Sequence, residues 1–487
     1  MSALILISVL GVVLLYLGFG DNRKWLAPVG ILGLLAALTM LLCNWNVESP
    51  LFAGMLKFDG YAMAFDMSLI LLTVLLFLFG IDYYARMREN VAEQYALMLF
   101  SLVGGLMLTS FTNLLVLFLG IEILSIPLFI LAGGKRDSFR SGEAAFKYFL
   151  QGSFASGFLL LGIALIYGST ASFDLATVQA AVGTSAGQGN MLMLLGLFFT
   201  IVGVSFKVAA VPFHFWNPDV YEGAPTLVTA FMSTVVKTAA FAGFYRLIEY
   251  MHLPGAVQTM LVVVTVCTLF LGNIVALRQT QFKRLMAYSS IAHTGFLLII
   301  FLGISERTSG VLYYYLTTYS IATVGLFVVL TLAKRAAKGD ENIRIFRGLF
   351  RSAPWLAIAT MLLLLSLAGI PLTAGFVAKY RVFALGIEAK LRGRHGFRGS
   401  DGAGGHLLLR HGDPGSLHPQ RARTAIGGGA RELARALILR RGCGVAGAAA
   451  GVVEVGSTPS PSAGSPTDEV DQPCFSASLL FLYPYAK

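Results

Sequence analysis

Long apolar runs divided by short polar loops set the pattern of this chain. Twelve lie within the first 385 residues, at roughly 2–19, 25–43, 62–81, 95–111, 112–132, 146–167, 191–216, 226–248, 257–277, 285–304, 309–333 and 355–385. Each approaches or exceeds the roughly 20 residues a helix needs to cross about 30 Å of hydrocarbon. Lipid offers no water to backbone N–H and C=O groups, so these runs predict helices, and the chain reads as an all-α polytopic membrane protein. Met1-Ser2-Ala3 lacks the basic start of a cleavable signal peptide and the first run simply continues, so the first helix is expected to be retained.

Two of the runs carry lysine together with proline. Lys207 stands five residues before Pro212, and Lys379 stands eight after Pro371 in a Gly369-Ile370-Pro371 break; a third lysine, Lys237, lies twelve residues into the next run. A charge near the bilayer centre costs roughly 3 kcal/mol on insertion scales, so lysines placed there mark functional sites by default. Proline frees a carbonyl and kinks the axis, so both long helices are expected to be discontinuous at membrane depth. The chain also repeats itself. Phe146-Lys147-Tyr148-Phe149-Leu150 has a counterpart in Leu312-Tyr313-Tyr314-Tyr315-Leu316, and each opens a helix that precedes a proline-and-lysine helix. Paired broken helices in corresponding halves point to a transport site; the plainer reading is that Pro and Gly are simply commoner in membrane helices.

Composition agrees: hydrophobic residues make up 56% of the chain and charged ones 13%, against about 25% charged in soluble domains. The loops after runs 1, 3, 5, 9 and 11 hold the basic clusters, from Arg23 and Lys24 to Lys334, Arg335 and Lys338. The positive-inside rule makes those loops cytoplasmic and the N-terminus external. Only the loop with Asp219 and Glu222 breaks the pattern. Much of the +11 net charge therefore reflects topology, and no RNA-binding or helix-turn-helix signature accompanies it, so nucleic acid is not an expected partner. Cys43, Cys267, Cys443 and Cys474 show neither CxxC pairing nor metal-ligand spacing, and read as small core residues. No GxGxxG follows a strand and no haem or iron–sulfur pattern is present, which argues against a redox enzyme in its own right.

A family resemblance rests on specific residues. Phe206-Lys207-Val208, His214, Trp216, Pro218-Asp219-Val220-Tyr221-Glu222-Gly223-Ala224-Pro225-Thr226 and Lys237-Thr238 resemble the chain N family of bacterial NADH–quinone oxidoreductase, respiratory complex I. So do Gly120-Ile121-Glu122, Ala287-Tyr288-Ser289-Ser290-Ile291-Ala292-His293-Thr294-Gly295, and the run from Gly369 to Lys379. The related chains L and M and Mrp-type cation/proton antiporters share the lysine-bearing broken helices. The Tyr221–Thr226 form of the loop favours chain N, and lysine at 379 argues against chain M.

The resemblance, covering about residues 1–389, implies a fourteen-helix antiporter-like fold with two inverted five-helix repeats, helices 4–8 and 9–13, each a half-channel for protons. It implies a proton-translocating, non-redox subunit of NADH:quinone oxidoreductase in the bacterial inner membrane, beside chains M, L, K, J, A and H. NADH, FMN, iron–sulfur clusters and quinone would belong to those partners, with no cofactor or metal in this chain; an Mrp-type antiporter subunit is the alternative. It carries over Glu122 and Lys207 as a coupled pair, then Lys237, His293 and Lys379 along a hydrated mid-membrane path. Burial disfavours a lysine's charge and a nearby carboxylate restores it, so moving Glu122 relative to Lys207 would switch Lys207 between holding and releasing a proton. Histidine changes charge near neutral pH and can relay between lysines.

Each residue also has a plainer reading. Glu122 and Lys207 could be a static buried pair, and His293 a bridge between helices with Ser289, Ser290 and Thr294. Lys237 is too deep to snorkel easily. Glu143 and Lys147, in i,i+4 order at a helix start, read as a local ion pair outside the site. His214 beside Trp216 reads as structural.

From about residue 390 the text changes. Residues 390–487 contain ten arginines and only three of the 36 phenylalanines, helical periodicity fades, and runs such as Gly427-Gly428-Gly429 and Ser457-Thr458-Pro459 read as low-complexity sequence. Helices 13 and 14 of the family are expected in this place; the 172 residues from Lys207 to Lys379 predict a counterpart of the Lys237 helix near residue 409, and none is legible there. A shifted reading frame in GC-rich DNA would produce such text; a genuine tail on a truncated paralogue is the alternative.

Overall fold

Each of the twelve apolar runs becomes a helix or a pair of half-helices. The computed structural model describes residues 2–399 apart from 21–22, 46–48, 52–53, 86–90, 185–189, 252 and 338. The expectations for residues 400–487, Cys443 and Cys474 among them, lie outside the described residues.

In chain order the helices are α1 (Ser2–Leu17), α2 (Arg23–Cys43), α3 (Gly60–Tyr84), α4 (Val91–Ser110), α5 (Leu114–Ala132), α6 (Phe139–Thr170), α7 (Leu175–Val182) and α8 (Met191–Lys207). There follow α9 (Trp216–Gly223), α10 (Thr226–Met251), α11 (Gly255–Ala276), α12 (Phe282–Ile300), α13 (Thr308–Ala336), α14 (Pro354–Ala368) and α15 (Ala374–Gly399). A two-stranded antiparallel hairpin, β1 (Ser49–Leu51) and β2 (Leu56–Phe58), pairs Ser49 with Phe58 between α2 and α3. Helix starts are set by side chains that accept the otherwise orphaned first N–H groups: Asp59 accepts from Ala62 N at 2.9 Å and Asn113 from Leu115 N at 2.9 Å. Gly369, at φ 80°, ends α14 in the left-handed turn glycine adopts without a Cβ clash. The backbone of α15 continues to Gly399, ten residues past the fading periodicity at 389, because Ala389-Lys390-Leu391-Arg392 are good helix formers.

Residues Met1–Lys390 form one compact unit with α10 at its centre. The membrane-length window of α10 is wholly buried, while α2, α6 and α11 turn two thirds of theirs outward. Their outer faces carry exposed Phe154, Phe270 and Leu32, the surface a lipid environment accepts. Cys43 and Cys267 are exposed on these outer helices, a correction to their reading as core residues. The tightest helix pairs, α4 with α5 and α6 with α8, recur in the second half as α11 with α12 and α13 with α14, as two repeats require. At the α4–α5 contact a Cβ on Gly104 would lie 2.3 Å from Leu124 N, so only glycine lets the two backbones meet beside Glu122.

Candidate functional site

The expected break after Lys207 is present, nine residues earlier than the run ending at 216. α8 stops at Lys207, and residues 208–215 cross as irregular backbone with Ala209 at φ 57° and a cis Val211–Pro212 peptide bond. Backbone freed at membrane depth needs partners from neighbouring helices, and they are supplied. Val211 N–H donates to Thr268 Oγ1 of α11 at 2.9 Å, Thr294 Oγ1 of α12 donates to the Val208 carbonyl at 2.7 Å, and Trp216 Nε1 donates to the Phe206 carbonyl at 3.0 Å.

Lys207, the last residue of α8, is 7% exposed. Its ammonium sits 5.5 Å from the ring centre of Tyr148 and 5.6 Å from that of Phe129, and Nζ has no hydrogen-bond partner among the described residues. Glu122 acts on it electrostatically but makes no ion pair with it here. The Glu122 carboxylate instead accepts a hydrogen bond from Ser156 Oγ of α6. Glu122 and Lys207 are therefore not hydrogen-bonded to each other. Ser156 carries no sequence signal that separates it from other helix serines.

Lys237 follows a single π-turn, Met232–Val236, inside α10, an irregularity often found at functional positions. It is 4% exposed. Its ammonium donates to the Ser290 carbonyl and, at 2.6 Å, to Ser290 Oγ, and lies 5.4 Å from the centre of the Tyr319 ring. Nothing in the Met232-Ser233-Thr234-Val235-Val236 sequence announces the π-turn.

The second break falls where Gly369-Ile370-Pro371 places it, between α14 and α15. Lys379 reaches back across it, donating at 2.9 Å to both the Leu367 and Ala368 carbonyls, and stands 4.8 Å from the centre of the Phe296 ring. A cation at a helix C-terminus satisfies orphaned carbonyls and the helix dipole together. His293, 6% exposed, shares a 2.7 Å hydrogen bond between Nδ1 and the Tyr315 hydroxyl. A cavity of about 10 Å³, lined by His293, Tyr315, Tyr319, Ser366 and Lys379 among others, joins the two; that is room for about one water.

Helix α12 connects all three lysine sites. Ser290 holds Lys237, His293 faces the Lys379 cavity, and one residue on, Thr294 ties the backbone next to Lys207. These positions are i, i+3 and i+4, one face of a helix. Thr294 does bridge helices, as its plainer reading has it. The spacing from Glu122 to His293 is 293 − 122 = 171, and from Tyr148 to Tyr319 it is 319 − 148 = 171.

Glu143 and Lys147 are more than a local pair. Lys147 Nζ lies 2.8 Å from Glu143 Oε1 and 2.8 Å from Asp219 Oδ2, and Arg284 reaches Asp219 and Glu222, each at 2.9 Å. The acidic loop that broke the charge pattern is neutralised by basic residues from the starts of α6 and α12, at the same end of the bundle. Burial opposes ionisation of Asp219, but Lys147 and Arg284 outweigh it and hold its carboxyl below the usual carboxylate range. His214 is buried beside this segment, against the Phe215 ring. Among the described residues no group of three or more His, Cys, Asp or Glu could hold a metal ion.

Lysines at helix breaks in two related halves, Lys207 buried and Lys379 half-buried, define an antiporter-like membrane protein. The family described as "NADH:quinone oxidoreductase/Mrp antiporter, TM" matches residues 112–392. The chain is 43% identical over 395 residues to NADH-quinone oxidoreductase subunit N of Cytophaga hutchinsonii, covering 80% of this chain and 84% of that one. It is 40% identical over 383 residues to the subunit N of Flavobacterium psychrophilum, covering 78% and 83%. A chain of respiratory complex I from Thermus thermophilus with bound aureothin is 36% identical, with TM-score 0.67 over 80% of this chain and 83% of that one. The Mrp complex from Dietzia shares the fold at 21% identity, TM-score 0.70, covering 80% and 75%. The chain belongs to the NADH:quinone oxidoreductase/Mrp antiporter family, and within it to the subunit N proteins of NADH-quinone oxidoreductase.

Proposed function

We propose that this chain is the proton-translocating membrane subunit of a NADH–quinone oxidoreductase. In this reading it carries no electrons itself. Electron transfer in partner chains reaches it as conformational or electrostatic work, which drives protons through Glu122, Lys207, Lys237, His293 and Lys379. One observation carries the reading: each lysine sits at a helix irregularity, Lys207 buried at the end of α8, Lys237 buried after the π-turn of α10 and Lys379 half-buried across the α14–α15 break, and one face of α12 links them. Broken helices supply polar groups at membrane depth where water and protons can be held. Glu122, held by Ser156, is the movable partner whose approach would load Lys207 with a proton and whose return would release it.

Chains M, L, K, J, A and H of the complex are the proposed partners, and an external N-terminus in the inner membrane is the proposed orientation. The ionic cluster of Lys147, Asp219, Glu222 and Arg284 supports it, since it removes the one exception to the basic cytoplasmic loops. The Mrp-type alternative rests on fold likeness, whereas the identities of 43% and 40% are to subunit N proteins. We also propose that residues 390–487 are an out-of-frame reading of the family's last helices, a view supported by the family match ending at residue 392.

The test is Lys207→Ala in the assembled complex in sealed vesicles. Removing the charge lightens the insertion cost, so the subunit should insert while quinone-coupled pumping is suppressed. Lys207→Arg should not restore pumping fully, because arginine does not release its proton. Normal pumping by Lys207→Ala refutes the role.

A further inference from the structure

A further buried ionisable group lies towards the end of the bundle opposite the Lys147 cluster. Asp66, on α3, is 1% exposed. Its Oδ1 is 2.5 Å from Thr109 Oγ1 of α4, and that same hydroxyl is 2.7 Å from the Leu106 carbonyl. A hydroxyl has one proton to give, and a carbonyl oxygen only accepts. Two arrangements satisfy the geometry. If Thr109 donates to Leu106, Asp66 must be a carboxylic acid donating to Thr109; if Asp66 is a carboxylate, Thr109 turns to donate to it. The same three atoms serve both protonation states with a rotation of one hydroxyl.

Among the described residues no cation forms an ion pair with Asp66. Arg246 of α10, 2% exposed, donates to Asp59 Oδ2 at 2.7 Å, the Thr109 carbonyl at 2.7 Å and the Phe111 carbonyl at 2.9 Å, and no ion pair joins it to Asp66 among the described residues. Among the described residues, the other charged or titratable groups around this end include Asp59 and Tyr61 at the start of α3, Tyr245 and Glu249 of α10, Tyr313 of α13, Lys57 of β2, and Asp174 bridged to Asn113. A fully buried carboxylate without a partnering charge is costly, several kcal/mol, whereas the neutral carboxylic acid escapes that cost. At 1.5 Å per residue, Asp66 stands about 9 Å inside the start of α3, and Lys237 about 14 Å along α10 from Arg246. Asp66 thus lies between the Lys237 level and the bundle end where Asp59 is 23% exposed.

We propose that Asp66 is a proton-holding residue of the translocation path on this half of the membrane. It takes a proton as the carboxylic acid and releases it to the aqueous phase at the Asp59 end, with Thr109 switching its hydrogen bond at each step. This rests on the proton-translocating reading above, and on no residue assigned there. Asp66→Asn keeps the shape and the hydrogen bond to Thr109 but does not titrate. In the assembled complex in sealed vesicles, Asp66→Asn should assemble at the native level and pump protons severalfold more slowly, and Asp66→Glu should recover part of the rate. Thr109→Val, which removes the switching hydroxyl at constant shape, should slow pumping while Thr109→Ser does not. The infrared band of a protonated carboxyl should be present in the native complex and missing in Asp66→Asn. Native pumping by Asp66→Asn, or by Thr109→Val should Asp66→Asn not assemble, overturns the proposal. Lys207→Ala in the same vesicles separates the two failures: if it is impaired while Asp66→Asn is not, only the Asp66 role falls, and if it pumps normally the underlying reading falls with it.

Discussion

Ser156 Oγ of α6 donates to the carboxylate of Glu122 on α5, while Lys207 Nζ has no hydrogen-bond partner among the described residues. A hydrogen bond to a charged group contributes about 1.5–3 kcal/mol, a bias of roughly ten- to a hundredfold between the two positions of Glu122. Ser156→Ala should remove it and leave Glu122 resting on Lys207. The expected result is a severalfold slower initial rate of pumping, read as dye quenching in vesicles, with Ser156→Thr near native. An unchanged rate in Ser156→Ala would show that Glu122 is not poised by this bond.

Lys379 combines a structural and a chemical task, and substitution should separate them. Lys379→Met leaves the Leu367 and Ala368 carbonyls without their donor, at about 1–3 kcal/mol per buried unsatisfied group. It should lower the amount of subunit found in the complex on native gels. Lys379→Arg retains a donor for the carbonyls but no releasable proton, so it should assemble and pump poorly. Equal assembly of all three forms would contradict the capping role.

The α4–α5 contact tolerates no side chain at Gly104, where a Cβ would lie 2.3 Å from Leu124 N. Gly104→Ala should cost about 1–3 kcal/mol or more by overpacking and shift the melting of the complex downward. Gly142→Ala, on α6, meets nothing within 4 Å and should leave melting unchanged, which makes it the matched control.

Glu341, in the loop after α13, lies 3.2 Å from Lys283 and also pairs with Lys334. Burial pushes its carboxyl up, but the two ammonium groups prevail and it stays below its ordinary value. A carboxyl lowered on folding contributes stability above its unfolded value and loses it as pH falls through the folded one. Thermal stability of the complex should therefore drop as pH falls below about 4.5. Glu341→Gln should be less stable than native at neutral pH and should lose less on acidification. Parallel pH profiles for the two would exclude this contribution.

For residues 390–487 the measurement is the DNA around codons 385–395 read in all three frames. Correcting one or two bases should restore two apolar stretches of about 20 residues, the first being the second repeat's counterpart of α10. Without that helix the α14–α15 break lacks one flank, and its backbone groups would face lipid. Peptides of the arginine-rich tail in a pumping complex would show that the tail is real.

The twelve helices, the two breaks and the three lysines were legible in the sequence because a bilayer imposes local rules: a span needs an apolar run, and a buried charge or proline stands out against it. The alternation of basic loops was legible for the same reason. What surrounds each lysine was not. The Ser156 bond to Glu122, the Ser290 bond to Lys237 and the Tyr315 bond to His293 join residues 34, 53 and 22 positions apart, and serine and tyrosine are ordinary members of apolar helices. The π-turn before Lys237 lies where α10 packs among α3, α4 and α13, helices far from it in the sequence. Glu143 and Lys147 read as a local pair because their spacing is local; only the packing of α6, α9 and α12 brings Asp219 and Arg284 to them. Residue type announces where charge is buried, and the meeting of distant helices decides what each charge is bonded to.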